Sequence, residues 1–499
     1  MHPGADVTVA DSRSTRAKQE RALPGARVDD DGRPRLSARV VASLALPLIA
    51  NGAVQLVLTF TDTWFVGQLS SQALAAMSVV QWPSLLLIVL VGGVAFATQT
   101  LAAQGEGAGR RRAASKAVWT SLWSLAILAP AFVAVAFTGH WVLEPFGLDA
   151  TVQALALDFW RPRLLGAPLG LMMMVVMAFF NAIARPRYTL VVAALSAVVN
   201  ALLNYVFIFV LDLGIAGAAW ATNAAQLLGF AAALSIFLGP RMRTRYRSDL
   251  TWRLRRHAVL VALRLGVPMG LMFAADLLGL SLFQLMQAQH GTIDAAATLV
   301  AMTLTAAVYL PGAGIAQVSA TLVGHAIGAR EIQWAHHIGK RLALVTALLM
   351  GVLGVLLALL GPLLTRLFIS AADPDAAEVA RLAARLLWIG AIYQFFDGLF
   401  LASSSALRGS GDVRVPAVIV AVLVLLVFLP LSYLLTFAPG KGWFAAAPGL
   451  GWGAVGGWLA LTTHVFLMGS LLFARWHSGA WRRSARGSAI SSGTPLAHP

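Results

Sequence analysis

Apolar residues follow one another along this chain in twelve long runs, separated by short connections that collect Gly, Pro and charged residues. A helix needs about 20 apolar residues to cross the roughly 30 Å hydrocarbon core of a bilayer. The pattern therefore predicts an all-α integral membrane protein with twelve transmembrane helices. They are expected at about 39–67, 72–104, 115–139, 154–184, 188–211, 216–239, 258–288, 294–327, 335–370, 376–407, 414–437 and 450–475.

Composition agrees with this prediction and excludes other classes. Of the 499 residues, 59% are hydrophobic and 12% are charged, whereas soluble domains carry about 25% charged residues. The net charge of +16 does not indicate nucleic-acid binding, because the basic residues lie between the apolar runs. At such positions they orient helices and contact anionic lipid. The absence of cysteine excludes disulfides and thiolate metal sites.

The basic residues also predict an orientation. In a twelve-span arrangement, 31 of the 37 Lys and Arg residues fall on one side. Because Lys and Arg collect on the cytoplasmic side, we expect a multi-pass protein of the cytoplasmic (inner) membrane with both termini in the cytosol. Arg161 and Arg163 fall near the other surface, and we expect both side chains to snorkel to it.

An internal repeat divides the spans into two halves. The segment "LALPL" around Pro47 matches "LGVPM" around Pro268, and the segments that begin at Thr100 and Thr321 match at the same offset along the chain. Because each half has an even number of spans, both halves cross the membrane in the same direction. They therefore form a 6+6 parallel repeat, related by a pseudo-two-fold axis along the membrane normal. Such repeats, with a cavity between them, are typical of secondary transporters.

The repeat and the charge pattern predict five segments. They are a disordered cytosolic tail (1–35), an N-lobe with the first six spans (36–239), a basic cytosolic linker (240–257), a C-lobe with the last six spans (258–475) and a cytosolic C-terminal tail (476–499).

Carboxylates inside the spans are the first candidates for chemistry, since they are costly there and often mark an ion path. In the N-lobe, Asp62 lies near the end of the first span. Asn200 and Asn204 share one face of the fifth span, and Thr222 lies in the sixth. These hard oxygen ligands could hold a proton or a small cation, although Asn in membrane helices also joins helices by hydrogen bonds.

The C-lobe has its own group. Asp276 lies in the seventh span, and Tyr393 and Asp397 stand four residues apart in the tenth. If the two acids share a cavity, each disfavours ionisation of the other, which makes the pair a candidate coupling site. The alternative is that they are unrelated acids on different walls.

In order and spacing, these segments resemble the multidrug and toxic compound extrusion (MATE) transporters over residues 36 to 475. The resemblance rests on Pro47, on Asp62-x-x-Phe-Val-Gly67, on "LGVPMGLMFAAD" ending at Asp276 and on "YQFFDGLFLASSSALRGSGD" ending at Asp412. It implies export of bulky, often cationic, organic compounds in exchange for Na⁺ or H⁺ by alternating access.

The resemblance also implies roles for individual residues. Asp62, Asn200, Asn204 and Thr222 match the family's N-lobe cation site. Asp276, Tyr393 and Asp397 match the C-lobe acids of the sodium-driven bacterial branch. Either set could hold Na⁺. Two departures are notable: some members have Asp where this chain has Asn204, and the seventh-helix acid is often Glu.

Further expectations complete this interpretation. Pro47 and Pro268 can bend their helices, because neither offers an N–H to the preceding turn. We expect no resident cofactor, a drug-like substrate and membrane lipid as partners, and a monomer. The chain is predicted not to be an enzyme.

Rival functions make different demands on the sequence. A lipid-linked saccharide flippase of the same superfamily needs a basic central cavity. The sequence predicts that the spans of this chain lack interior Lys and Arg. An intramembrane enzyme needs several catalytic side chains at the same depth in the membrane. The candidate histidines His325, His336 and His337 are instead predicted to lie at the membrane interface. An ATP-driven pump is disfavoured because no phosphate-binding loop motif is present.

Overall fold

Twelve long helices dominate the computed structural model, which describes residues 23–28, 34–367, 374–444 and 448–486. All twelve are long and apolar enough to cross a membrane, so the predicted fold class is confirmed. They are α1 (Ala38–Gly67), α2 (Ser71–Gly107), α3 (Arg111–Ala136), α4 (Ala150–Ala182), α5 (Pro186–Val210), α6 (Gly214–Phe237), α7 (Arg256–His290), α8 (Thr292–Gly328), α9 (Ile332–Leu364), α10 (Ala376–Ser410), α11 (Arg414–Thr436) and α12 (Gly453–His477).

The helix starts have a local cause. The side chain of Ser37 accepts a hydrogen bond from the backbone N–H of Val40 at the start of α1. Ser70 caps α2 in the same way through the N–H of Ala73, at 3.0 Å. A serine oxygen at these positions satisfies one of the backbone donors that the first helical turn leaves without a partner.

The helices bury two large apolar cores. One is built mainly from α2, α3, α4 and α6, and the other mainly from α8, α9, α10 and α12. The backbone repeats the sequence offset, because a left-handed residue follows α2 at Gly109 (φ 69°) and follows α8 at Arg330 (φ 65°). These two positions are separated by the same stretch of chain as Pro47 and Pro268, so equivalent turns end equivalent helices.

We call the surface formed by the connections α2–α3, α4–α5, α6–α7, α8–α9 and α10–α11 the basic face. The two halves of the molecule meet in the part nearer this face. A Cβ added at Gly93 of α2 would overlap the backbone of Gly266 and Gly270 in α7, and one at Gly107 would overlap His325 of α8. Glycine therefore allows helix backbones from opposite halves to touch.

Both halves are further joined by segments that precede their first helices. Before α1, strands β1 (Ala26–Val28) and β2 (Pro34–Leu36) pair antiparallel, and Trp334 of α9 donates its indole N–H to the carbonyl of Pro24 at 3.0 Å. The prediction of a disordered tail is therefore wrong for 23–28 and 34–35, because apolar side chains of this segment pack on the second core. Residues 1–22 and 29–33 lie outside the described residues.

The linker before α7 is ordered on the opposite half. It contains a short helix, Pro240–Tyr246, and it docks beneath α3. Ser115 donates to the carbonyl of Tyr246 at 2.8 Å, and Trp119 donates to that of Ser248 at 2.7 Å. Arg245 also forms an ion pair with Glu106 at 2.8 Å. Each half thus holds the segment that leads into the other half.

Candidate functional site

The four predicted N-lobe residues converge where α1, α5 and α6 meet. Asn204 donates from Nδ2 to Asp62 Oδ1 at 2.6 Å and to Asn200 Oδ1 at 3.1 Å. Asn200 in turn donates to Thr222 Oγ1 at 3.2 Å. Both asparagines are 0% exposed. The predicted convergence is confirmed, while the role of these residues as cation ligands stays a prediction.

The backbone changes its winding directly after this cluster. Residues Val206–Val210 at the end of α5 form a π-helical turn that begins two residues after Asn204. A matching π-helical turn, Leu423–Phe428, interrupts α11. Such turns often accompany functional sites in helices. Here the turn sits at the helix that carries two of the four clustered side chains.

Arg163 is a charged neighbour of this cluster that the sequence interpretation missed. It lies 13 residues into α4, about 20 Å along the helix axis from its start, and its Nε atom is buried without a hydrogen-bond partner. Its guanidinium interacts electrostatically with Asp62, without a salt bridge closer than 4 Å. Arg163 is half-buried, so its snorkelling to the surface stays a prediction. An Arg in the middle of one span and an acid in another was the available signal.

A central cavity of about 490 Å³ lies between the two halves. Its wall from α2 and α4 is apolar, formed by Leu85, Ile88, Val89, Gly92, Phe96, Leu171 and Met174. All of its polar side chains come from α7, α8 and α10: Asp276, Thr305, Tyr309, Tyr393, Gln394 and Asp397. Asp62 is not among the residues that line this cavity.

The three predicted C-lobe residues share this cavity. Asp276 keeps 28% of its side chain exposed, whereas Asp397 is 5% exposed and its Oδ2 atom is buried without a partner. The two carboxylates act on each other electrostatically. Asp276, Tyr393 and Asp397 therefore line one cavity, and their role as a coupling site stays a prediction.

His464 of α12 completes this group and was also missed. It is 1% exposed, and its Nε2 lies 3.8 Å from Asp276 Oδ1. The ring stacks on Phe428, with centroids 4.8 Å apart, and neither ring nitrogen has a hydrogen-bond partner. The sequence interpretation looked for histidines near the basic connections. The polar stretch "LTTH" in the middle of the last apolar run was the signal for this one.

Toward the basic face the cavity is closed by contacts between the halves. Thr100 donates to the carbonyl of Arg408 at 3.1 Å, and Gln104 donates to that of Gly409 at 3.0 Å. The guanidinium of Arg408 lies 4.5 Å from the ring centre of Phe96, a cation–π contact across the two halves. Arg408 is buried at the end of α10, and it is Arg163, within α4, that overturns the expectation of spans without interior basic residues.

Family and sequence comparisons agree with the repeat. The MatE family model matches residues 47–206 and again 268–434, and its two matches start at the positions of Pro47 and Pro268. A "Probable multidrug resistance protein NorM" of Rhizobium meliloti (strain 1021) is 29% identical over 388 residues, 75% of this chain and 82% of the relative. A protein of the same name from Brucella suis biovar 1 (strain 1330) is 27% identical over 460 residues, 91% of this chain and 94% of the relative.

Solved structures share the fold. A MATE crystal structure "in the straight conformation" superposes with a TM-score of 0.77 at 18% identity, over 90% of this chain and 97% of that one. A MOP superfamily transporter from Pyrococcus furiosus, described with "reverse polarity of binding pocket" and a suggested different function, also scores 0.77, at 17% identity, over 89% of this chain and 96% of that one. These likenesses show that the chain shares the fold of both structures.

Proposed function

This chain belongs to the MatE family of transporters, and on that premise we propose that it exports bulky, often cationic organic compounds in exchange for Na⁺ or H⁺. The observation that carries the proposal is the central cavity, which combines an apolar wall from one half with Asp276 and Asp397 from the other. Flat or branched apolar groups fit such a wall without fixed geometry. A positive charge on the substrate would meet the carboxylates.

Competition for these carboxylates would provide the coupling. A buried carboxylate needs a proton, a metal cation or a cationic ligand to offset its desolvation. Asp397 Oδ2 has no partner within the protein, and so it is available to each of them. When the cavity is open to the outside, an entering coupling ion would displace the compound. When the cavity opens to the inside, loss of the ion would let the next compound bind.

The helices that carry the prolines are suited to the change of access. Pro47 in α1 and Pro268 in α7 lie where the two halves touch, and neither provides an N–H to its helix. Ala45 and Ile49, which flank Pro47, pack on Gly314 of α8. Bending of α1 at Pro47 would therefore move a contact between the halves.

We place the protein in the cytoplasmic membrane with the basic face and both termini in the cytosol, since that face gathers the basic connections. In this orientation the closed side is the cytosolic one. A monomer is sufficient for the proposed cycle, because one chain contains both halves of the cavity. Exchange between two membrane sides requires no resident cofactor.

A lipid-linked saccharide flippase is the nearest rival function. Its pyrophosphate would need basic groups in the cavity, whereas the polar wall here carries two carboxylates and two tyrosines. Arg408 is buried among the contacts that close the basic face and is not part of the cavity wall. An intramembrane enzyme is disfavoured by membership of a transporter family. The cavity therefore favours a cationic substrate over an anionic one.

Transport by purified protein in lipid vesicles tests the proposal. Ethidium movement would be followed with a Na⁺ gradient or a pH gradient imposed separately, for wild type, Asp276→Asn, Asp397→Asn and the control Asp158→Asn, whose side chain is exposed. We expect one of the two gradients to drive wild type and the control. Each cavity variant should lose about tenfold or more of that rate. Wild-type rates in both cavity variants under both gradients would contradict the proposal.

A further inference from the structure

The helices α4 and α10 hold the fourth place in their halves, and both end in the same way. A residue with left-handed backbone follows each helix, Ala184 (φ 56°) after α4 and Gly411 (φ 87°) after α10. This residue and the next one donate their N–H groups to carbonyls of the last helical turn: Ala184 to Asn181, Arg185 to Phe180, Gly411 to Arg408 and Asp412 to Leu407. Such a cap satisfies two of the last four carbonyls of a helix. The carbonyls of Ala182 and Gly409 are not part of it.

The opposite half of the molecule supplies the donors for these two carbonyls. Gln104 of α2 donates from Nε2 to the carbonyl of Gly409 at 3.0 Å. His325 of α8 has its Nε2 2.6 Å from the carbonyl of Ala182, and the ring nitrogen is the donor because a carbonyl oxygen only accepts. The residue four places after Ala182 is Pro186, which has no N–H. Within the described residues, neither carbonyl accepts a hydrogen bond from its own half.

A threonine stands one turn before each of these donors. Thr100 donates to the carbonyl of Arg408 and Thr321 to that of Asn181, each at 3.1 Å. Each hydroxyl also lies 3.2 or 3.3 Å from a carbonyl of its own helix, so the threonines have an alternative acceptor. In the described part of the chain, the glutamine and histidine side chains donate only across the two halves. Both pairs of donors match at the offset of the internal repeat, so the arrangement shares the pseudo-two-fold symmetry of the fold.

These contacts separate two spaces. On one side lies the central cavity, to which α2 contributes Phe96. On the other side a cavity of about 750 Å³ lies in the basic face, lined by Gln104, His325 and residues of the α2–α3, α4–α5 and α8–α9 connections. Gln104 follows Phe96 by two helical turns, which is about 12 Å along the axis of α2. The barrier between the two cavities is therefore thin, and both donors lie at its edge toward the basic face.

From this symmetry we propose that Gln104 and His325 are two equivalent latches that keep the basic face closed. Each completes the cap of a helix in the opposite half, so this side opens only when the carbonyls of Ala182 and Gly409 lose their donors. The inference rests on the proposed function, which requires this side to open, and it identifies the bonds that must break. One hydrogen bond of this kind shifts an equilibrium by only about threefold to tenfold. The latches can therefore release without unwinding α4 or α10, because the caps within each half stay intact.

Labelling of the central cavity from the basic face tests the latches. Met302→Cys, in the cavity wall, would be reacted with a membrane-impermeant maleimide in vesicles that expose the basic face. Gln104→Met and His325→Leu each remove a donor, and we expect each to raise the labelling rate about threefold to tenfold and the double variant to raise it further. His325→Gln introduces the side chain of the equivalent latch and should label like the Met302→Cys background. Thr98→Val is the matched control, because the 2.7 Å hydrogen bond between Thr98 and Ser121 lies within one half.

Labelling of the same cysteine from the opposite side shows whether the effect is specific. Loss of a latch should raise the rate from the basic face alone, whereas general loosening raises it from both sides. A rise from both sides, an unchanged rate in the double variant, an equal rise in Thr98→Val or a fast rate in His325→Gln would overturn the inference.

The labelling needs no ion gradient and no transported compound, so it separates this inference from the proposed function. If neither gradient drives ethidium, the proposed coupling fails, and the labelling rates still decide whether the latches exist. If transport is coupled and all variants label at the same rate, the proposed function stands and the inference fails.

Discussion

Single side chains decide how each buried charge in this protein is offset. Asp62 has hydrogen-bond donors and a nearby guanidinium, whereas Asp276 has His464 at 3.8 Å. Asp397 has an oxygen with no partner. Because a charge in a low-dielectric region acts over several ångströms, exchanging one neighbour changes which carboxylate can take an external cation. If the proposed exchange is correct, residue identity at these few positions controls coupling.

His464 gives a prediction at this scale. In His464→Phe the aromatic stacking on Phe428 can be kept, but Asp276 loses the ring nitrogens beside it. We expect a melting temperature within a few degrees of wild type and a shift of about tenfold in the half-saturating concentration of the coupling ion. The measurement is ethidium efflux at a series of ion concentrations. His477→Phe, at an exposed position of the same helix, is the control. An unchanged ion dependence would show that His464 only fills space.

Whole helices determine how closely the two halves can approach. α2 and α7 cross at Gly93, Gly266 and Gly270, where backbone meets backbone. Glycine has no Cβ, so the helix axes can lie closer than larger side chains would allow. This contact lies beside the cavity, on the side toward the basic face. It must open if the cavity is to be reached from that face.

Gly270→Ala tests the closeness of this crossing. The added Cβ would overlap the carbonyl of Leu90, and overpacking of this kind typically costs about 1–3 kcal/mol. We expect a lower melting temperature and a weaker closure of the basic face. Gly67→Ala is the matched control, because an added Cβ at this helix position has no atom within 4 Å. Equal melting temperatures for the two variants would contradict the close crossing.

The linker helix Pro240–Tyr246 is a second element with its own test. Burial, with a contribution from the nearby Glu106 carboxylate, raises the pKa of Tyr246 to about 12, against about 10 in an unfolded chain. Between these values the unfolded chain releases a proton that the folded protein keeps. The tyrosine therefore stabilises the fold below pH 10, and this contribution is lost as the pH rises toward 12.

We expect Tyr246→Phe to lose less stability than wild type when thermal melts are recorded between pH 9 and about 12. Phe can keep the edge-to-face packing against Phe179, now at 5.3 Å between ring centres. Tyr205→Phe, at an exposed position of α5, should follow wild type. A steeper alkaline loss in Tyr246→Phe than in wild type would rule out this account.

At the scale of the whole molecule, each half binds the segment that leads into the first helix of the other half. Trp334 of the second half holds Pro24 ahead of α1, and Trp119 of the first half holds Ser248 ahead of α7. Both contacts lie toward the basic face, where Thr100 and Gln104 also join the halves. The structure is thus closed on one side and has its cavity on the other side of these contacts.

Cysteine labelling tests this arrangement, since the chain has no cysteine of its own. Met302→Cys lines the cavity, Gln99→Cys lies among the buried contacts between the halves, and Ala329→Cys lies on the basic face. A membrane-impermeant maleimide added outside intact cells should react with Met302→Cys alone. In inside-out vesicles it should react with Ala329→Cys. External labelling of Ala329→Cys would reverse the proposed orientation, and external labelling of Gln99→Cys would exclude the closed basic face.

The resemblance to the MATE transporters grouped Asp62 with Asn200, Asn204 and Thr222. The sequence by itself determined the number of helices, the repeat and the shared face of Asn200 and Asn204. These features depend on local quantities: runs of apolar residues, alternation of basic connections and a spacing of four on one helix face. The offset between Pro47 and Pro268 was enough to predict the two halves. The two matches of the family model begin at the same two positions.

Only the tertiary structure decided which charges are neighbours. Arg163 of α4 acts on Asp62 of α1, and His464 of α12 meets Asp276 of α7, so each pair joins helices far apart in the sequence. Such pairs depend on the rotation and depth of each helix, which packing sets and which an almost uniformly apolar sequence leaves open. The same holds for the order found in residues 23–28 and for the cavity wall that excludes Asp62. A membrane helix is specified locally, but the face it turns to its partners is specified by all of them together.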